Sequence, residues 1–333
     1  MSEKSHQIVL ASRPKGAPVP ENFRLEAVAM PAPGAGEVLI RNRFLSVDPY
    51  MRGRMNDAKS YVPPFQIGQP LEGGAVGEVV TANDPSLKPG DWVLHNAGWR
   101  EWALLPAAGA QKIDAAIVPP SAYLGVLGMP GLTAWAGLNK VGLAQPGETV
   151  FVSGAAGAVG SLVGQLAKVK GCTAIGSAGG PDKVAWLTDE LGFDGAFDYR
   201  TEDPVQALGR LAPKGIDVYF ENVGGPQFDA ALINMKLHGR VAVCGMIAQY
   251  NATEPPEGSR AIMLVVPKRI NIRGFIVVDY WQHLPEFLAE VAPLVATGKI
   301  KFRETVYEGI ENTPDAFLAL FKGANTGKMV VKL

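Results

Sequence analysis

The sequence predicts a two-domain α/β protein: a β-rich, barrel-like domain and a doubly wound parallel sheet. Three observations carry this. Up to about residue 120 the apolar runs are short and broken every few residues by glycine or proline. From about residue 128, short strands alternate with helices whose apolar positions recur at helical spacing. Residues 149–160, Thr-Val-Phe-Val-Ser-Gly-Ala-Ala-Gly-Ala-Val-Gly, read as a strand, a turn of very small residues and a helix start. A length of 333 residues with 47% hydrophobic content also favours two domains over one.

In the first domain, residues 38–47, 77–80 and 91–95 are expected as strands separated by turns such as Pro89-Gly90. The segment 46–55 interrupts this pattern with Asp48, Tyr50, Arg52 and Arg54 close together. A local Asp48–Arg52 ion pair and a half-buried Tyr50 ring are the plain structural explanation; a substrate-facing role is the other. Tyr61, before Val62-Pro63-Pro64-Phe65, lies in a loop that either closes over a pocket or packs on the surface. Small residues dominate 123–135, a helix is expected over 133–140, and the domain boundary is placed at 127/128.

The second domain is expected to run strand 149–152, helix from 159, strand 172–176, helix from Pro181, strand 196–199, helix 204–211, strand 216–220, helix 226–237, strand 240–244, strand 272–278 and helix 284–297. In such a sheet ligands lie across the carboxyl ends of the strands, and a pyrophosphate sits at the amide-rich start of the first helix. The cradle would be Ala155, Gly157, Ala158, Val159 and Gly160, with alanine at the first glycine position and Gly154 able to supply the turn instead. After the second strand a chain that binds NAD usually places an acid for the ribose hydroxyl. Here the strand ends Ser177-Ala178-Gly179-Gly180-Pro181-Asp182-Lys183. No acid stands at the strand end, and Lys183 one turn into the helix would meet a phosphate, so NADP is preferred. Asp182 is either a helix-dipole acid or a ribose acceptor.

Charge and cysteine usage exclude several classes. With 31 basic and 32 acidic residues and no run of like charge, nothing suggests nucleic-acid binding. The two cysteines, Cys172 and Cys244, have neither metal nor disulfide spacing, which points to a reducing, cytoplasmic setting. No signal peptide or stretch of about 20 apolar residues is present, so no membrane association is expected.

The motifs Asp48-Pro49-Tyr50-Met51-Arg52, Gly128-Met129-Pro130-Gly131-Leu132-Thr133-Ala134, Ala155 to Ser161, Glu221-Asn222-Val223-Gly224-Gly225, Tyr250-Asn251 and Asn325-x-Gly327-Lys328 occur in order along nearly the whole chain. In this the chain resembles the zinc-independent medium-chain dehydrogenase/reductase family, in the branch of leukotriene B4 dehydrogenase/prostaglandin reductases and curcumin and alkenal double-bond reductases. The resemblance implies a Rossmann-type domain, 128–303, inserted in a GroES-like domain, 1–127 plus 304–333. It implies NADPH-dependent reduction of the carbon–carbon double bond of an α,β-unsaturated ketone or aldehyde. By the same resemblance Lys183 and Tyr199 belong to the 2′-phosphate end and Asn222 to the cofactor's backbone, and Gly179 is a further cofactor-binding residue. Cys244, Met246, Tyr250, Phe275 and Val277 fall on the nicotinamide side, Asn325 near the nicotinamide ribose. A homodimer formed through the sheet edge around residues 262–278 is implied as well.

Zinc alcohol dehydrogenases need a first-domain cysteine and a four-cysteine lobe. This chain has no cysteine before Cys172, and His6, His95, His238 and His283 are scattered, so no metal is expected. The remaining demand is to stabilise an enolate with oriented donors, for which Tyr250 is the first choice, then Tyr50 and Tyr61. Packing is the alternative role for each ring. A quinone reductase of the same fold and a non-catalytic NADPH-binding protein are the rival readings.

Overall fold

The computed structural model describes residues 4–333. The chain divides into two compact units, one running up to Leu124 and resuming at Glu304–Leu333, the other spanning Gly125–Arg303. The sequence reading sets its boundary three residues later, at 127/128. Gly125 falls on the far side because its carbonyl accepts from the amides of Gly128 (3.1 Å) and Gly131 (3.0 Å), which ties it to the helix Met129–Ala136.

The first unit begins with an antiparallel hairpin, β1 (Lys4–Leu10) and β2 (Phe23–Ala29). The sheet that follows contains β3 (Glu37–Ser46), β4 (Ala75–Ala82), β5 (Trp92–His95), β6 (Trp102–Pro106) and β7 (Gln111–Lys112). β3 is its axis, pairing antiparallel with β4 and β6. Register shifts at Leu39/Ile40 and Asn42/Phe44 bend the β3–β4 ladder, as bulges do in barrel-like sheets. One core of this unit gathers Phe23, Trp99 and Phe317, whose rings lie 5.7–6.0 Å apart.

The second unit holds six strands: β8 (Thr149–Val152), β9 (Thr173–Ala178), β10 (Gly195–Asp198), β11 (Ile216–Glu221), β12 (Met235–Val243) and β13 (Asn271–Gly274). All pair parallel, in the order β10-β9-β8-β11-β12-β13. This is the doubly wound order that reverses between its first and fourth strands, here β8 and β11. Phe151 stacks on Tyr219 at 4.9 Å beneath that reversal, both rings fully buried.

Two expected boundaries are corrected. The helix from Pro226 stops at Asn234 rather than 237, where the Asn234 amide turns back to the carbonyls of Ala230 and Val205. Met235 is already strand: Ile216 pairs with Met235 but Val218 with Arg240, so residues 236–239 bulge, with His238 at φ 61°. The last strand ends at Gly274, not 278, because Val277–His283 forms a 3-10 turn.

The chain then returns to the first sheet with β14 (Glu304–Glu308) and β15 (Lys328–Lys332). β15 lies parallel to β14 and antiparallel to β3, Val330 opposite Ser46. The turn before β15, which carries Asn325, is thus at the same end of the sheet as the segment after β3, which carries Tyr50.

Candidate functional site

In the second unit the turn after β8 brings very small residues and a helix start to the end of the strand. Gly154 takes φ +59°, supplying the left-handed turn that Ala155 does not, and the Ala155 amide donates to Ser177 at 2.8 Å, closing the turn onto β9. A Cβ on Gly160 would lie 2.5 Å from the Gly154 carbonyl, so only glycine lets the helix Gly160–Val169 start this close to the strand. The amides of Ser161, Leu162 and Val163 turn back to Gly157 and Val159. Those of Ala158, Val159 and Gly160 make no hydrogen bond among the described residues, leaving three donors at a helix start.

Beyond β9 and β10 stand Gly179, Lys183 and Tyr199, as expected, with one addition. A side chain on Gly179 would meet the Tyr199 hydroxyl at 2.8 Å and Arg200 Nε at 2.9 Å, so both groups overhang the bare backbone. Burial, and then the Arg200 charge, lowers the Lys183 ammonium from its usual range. Two cations sharing one neighbourhood repel until an anion separates them. Arg200 was not singled out from the sequence; a second cation directly after Tyr199 was the available signal.

Where the strand order reverses, the loop after β11 is held by Glu221, which has no exposed surface. Its Oε1 accepts from Ser153 Oγ at 2.8 Å and from the Val223 and Gly224 amides at 2.5 and 3.0 Å; its Oε2 accepts from the Tyr219 hydroxyl at 2.6 Å. Asn222 bonds twice to Ser153, from its amide nitrogen (2.9 Å) and its side chain (2.8 Å). Asn222 is therefore fixed to the end of β8, beside the glycine turn. Ile247 and Ala248 donate to the carbonyls of Asn222 and Val223, which folds residues 244–250 back over this loop. The Tyr250 hydroxyl then lies 2.8 Å from where a side chain on Gly245 would begin, and Met246 packs against Gly224. Burial and the Glu221 charge push the Cys244 thiol up to about 12, so it stays protonated. Phe275 is buried, edge-on to Phe220 and Tyr280, with Val277 two residues on at the start of the 3-10 turn.

In the first unit, the Asp48–Arg52 pair of the plain structural explanation does not form. Arg52 donates to the Gly16 carbonyl and to Asn56. Asp48 accepts from Ser46 Oγ and pairs with Lys328 at 3.1 Å, both partners buried. Lys328 also donates to the carbonyls of Val47 (2.9 Å) and Met329 (2.8 Å), which clamps the chain entering Tyr50 to β15. Tyr50 is half-buried; burial first, then the Asp48 charge, raises its hydroxyl well above the ordinary phenol range, while Arg54 acts the other way. Tyr61 adds to the same electrostatic neighbourhood and is exposed. Asn325 donates to Gly327 at 2.8 Å in the turn before β15. The expected residues thus fall into two sets: the nucleotide set and Tyr250 at the carboxyl ends of the second unit's strands, and Tyr50, Tyr61 and Asn325 in the first unit. Among the described residues no group of three histidine, cysteine or acidic side chains is arranged to hold a metal ion.

Comparison with known proteins covers both units. Residues 6–113 match the model of the N-terminal domain of oxidoreductases, and residues 158–293 that of zinc-binding dehydrogenases. NADPH-dependent curcumin reductase of Escherichia coli is 46% identical, over 99% of this chain and 97% of its own. The NADP-dependent 2-alkenal reductase of Nicotiana tabacum is 45% identical over 98% and 96%. The crystal structure of CurA from Vibrio vulnificus in complex with NADPH superposes with a TM-score of 0.93 at 46% identity, covering 98% of each chain.

Proposed function

The chain belongs to the zinc-independent branch of the medium-chain dehydrogenase/reductase family, and from that premise we propose that it catalyses NADPH-dependent reduction of the carbon–carbon double bond of α,β-unsaturated ketones and aldehydes. The observation that carries the reading is the fold of residues 244–250 back over the loop after β11, which brings the Tyr250 hydroxyl over Gly245; Tyr50, a phenol kept protonated by burial and by Asp48 and grouped with Arg54 and Tyr61, is a further donor. Such a group donates a hydrogen bond at any working pH. Full-length similarity to a curcumin reductase and a 2-alkenal reductase supports an enone or enal as substrate and NADPH as cofactor.

The second unit fits the cofactor. The amides of Ala158, Val159 and Gly160 receive the pyrophosphate, and Lys183 and Arg200, with the Tyr199 hydroxyl over Gly179, receive the 2′-phosphate. Asn222, Cys244, Met246, Phe275, Val277 and Asn325 are assigned to the remainder of the dinucleotide. When bound, NADPH supplies a hydride to the substrate's β-carbon. The protein's task is to hold the negative charge that then collects on the carbonyl oxygen. Tyr250, with Tyr50 and Tyr61 as further candidates, donates to that oxygen; a placed donor is worth roughly 2.7–4 kcal/mol in such a site. A phenol that has donated can pass its proton towards the α-carbon.

A homodimer is part of the proposal. β13 is the last strand of its sheet, and Met263, Val266, Val278 and Trp281 around it are exposed, a composition suited to a second copy. Two free cysteines support a reducing, cytoplasmic compartment; no helix among the described residues is long and apolar enough to cross a membrane. The test is NADPH consumption with a panel of alkenals, alkenones and quinones. Turnover of quinones alone would reject the double-bond assignment.

A further inference from the structure

We propose that Glu221 is a positioning residue for the cofactor and that its negative charge favours the oxidised, positively charged nicotinamide over the reduced, neutral one. The proposal rests on the NADPH reading above. Glu221 is the last residue of β11, and β11 lies beside β8 where the strand order reverses, the place where a dinucleotide crosses such a sheet. The residue joins three strand ends. Its carboxylate takes Ser153 after β8 and the Val223 and Gly224 amides after β11. Its carbonyl accepts from the amides of Cys244 (2.9 Å) and Gly245 (3.2 Å) after β12.

What sets it apart from an ordinary structural acid is the absence of a cation. The described residues form ion pairs throughout the chain, buried Asp48–Lys328 included, yet none of these pairs contains Glu221. Every group around the carboxylate is a neutral donor: one serine and one tyrosine hydroxyl and two backbone amides. Such donors satisfy the carboxylate's lone pairs and bring no positive charge to cancel its field. The field reaches its neighbours, since the Glu221 charge contributes to the raised titration of both Tyr219 and Cys244. At an effective dielectric of about 20, a unit charge roughly 10 Å away changes an equilibrium of a singly charged group by on the order of tenfold. A cofactor that becomes a cation at one end on giving up hydride would feel this charge; one that only needed its loops held would not.

The test separates charge from scaffolding. Glu221→Gln keeps the shape and the hydrogen bonds: its carbonyl oxygen accepts from Ser153, Val223 and Gly224, while its amide donates to Tyr219, whose proton can turn to Ser153 at 3.2 Å. Kd values for NADP+ and NADPH are measured by calorimetry for wild type, Glu221→Gln and Tyr219→Phe. Glu221→Gln is expected to raise the NADP+ Kd about fivefold or more relative to the NADPH Kd. Tyr219→Phe removes a donor and keeps the charge, and the ratio should stay within about twofold of wild type. If Glu221→Gln does not fold, the double variant Tyr219→Phe/Glu221→Gln, which removes the charge and the hydroxyl facing the new amide while the Gln carbonyl still accepts from Ser153, Val223 and Gly224, is read in the same way. Equal weakening of both cofactors in the charge-removing variant would make Glu221 a strut only and overturn the proposal. A wild-type chain that binds neither cofactor would overturn the NADPH reading and this inference together.

Discussion

In the proposed site Lys183 and Arg200 address one phosphate, so their removal should separate the coenzymes. Lys183→Ala should weaken NADPH by about tenfold or more, the loss of a charge-assisted bond, and leave NADH nearly unchanged; equal weakening in parallel titrations would remove the 2′-phosphate assignment. Tyr250→Phe should lower kcat on an enone by about 10²-fold with NADPH affinity preserved, and unchanged turnover would transfer the donor role to Tyr50 or Tyr61. His95 gives a pH signature of the first unit. Its Nδ1 accepts from the Ala97 amide and its Nε2 faces Asn42 Oδ1, and burial, then the Arg100 charge, drives its titration down to about 3. A histidine held neutral contributes stability that is full above its unfolded value of about 6.5 and is lost as pH falls towards the folded value. Urea midpoints should fall between pH 6.5 and 4 in wild type and fall less steeply in His95→Gln; identical slopes would show that His95 carries none of the effect. At this scale Lys183, Tyr199 and Asn222 could be read from position after a strand or from family motifs. The partners of Arg200, Ser153 and Lys328 could not, although Lys328 stands in a family motif and Arg200 directly after Tyr199. Their importance comes from neighbours distant in sequence, as when Lys328 meets Asp48.

The alternation of strands and helices in the second unit was legible because parallel strands buried on both faces carry short apolar runs, as in residues 150–152 and 218–220. The glycine turn was equally legible, including the possibility, met by φ +59°, that Gly154 replaces the glycine missing at Ala155. The start of β12 is not legible in the sequence, since the bulge at 236–239 places polar Lys236 and His238 and exposed Leu237 where a strand should alternate. The edge strand β13 yields a prediction of its own. Replacing Met263 and Val266 by lysine should halve the sedimenting mass while leaving cofactor affinity in place, as charge at a sheet edge blocks pairing. A wild-type chain that already sediments as a monomer would remove the dimer from the account.

For the whole molecule, the sequence placed the nucleotide-type unit within a β-rich one, but nothing local announced that β15 would pair with β3. That contact joins the C-terminus to the first sheet across the entire inserted unit, and long-range pairing leaves no periodicity to read; only the family motif at Asn325 to Lys328 pointed to it. Substrate size was not legible for a related reason. It depends on loops such as the one bearing Tyr61, whose sequence is compatible with either packing or capping. The central claim is that the protein saturates a carbon–carbon double bond and leaves the carbonyl intact. Its most direct test is to incubate the purified chain with NADPH and an acyclic α,β-unsaturated ketone and identify the product. The account predicts one saturated ketone formed per NADPH oxidised; an unsaturated alcohol, or NADPH oxidation without change in the enone, would contradict it.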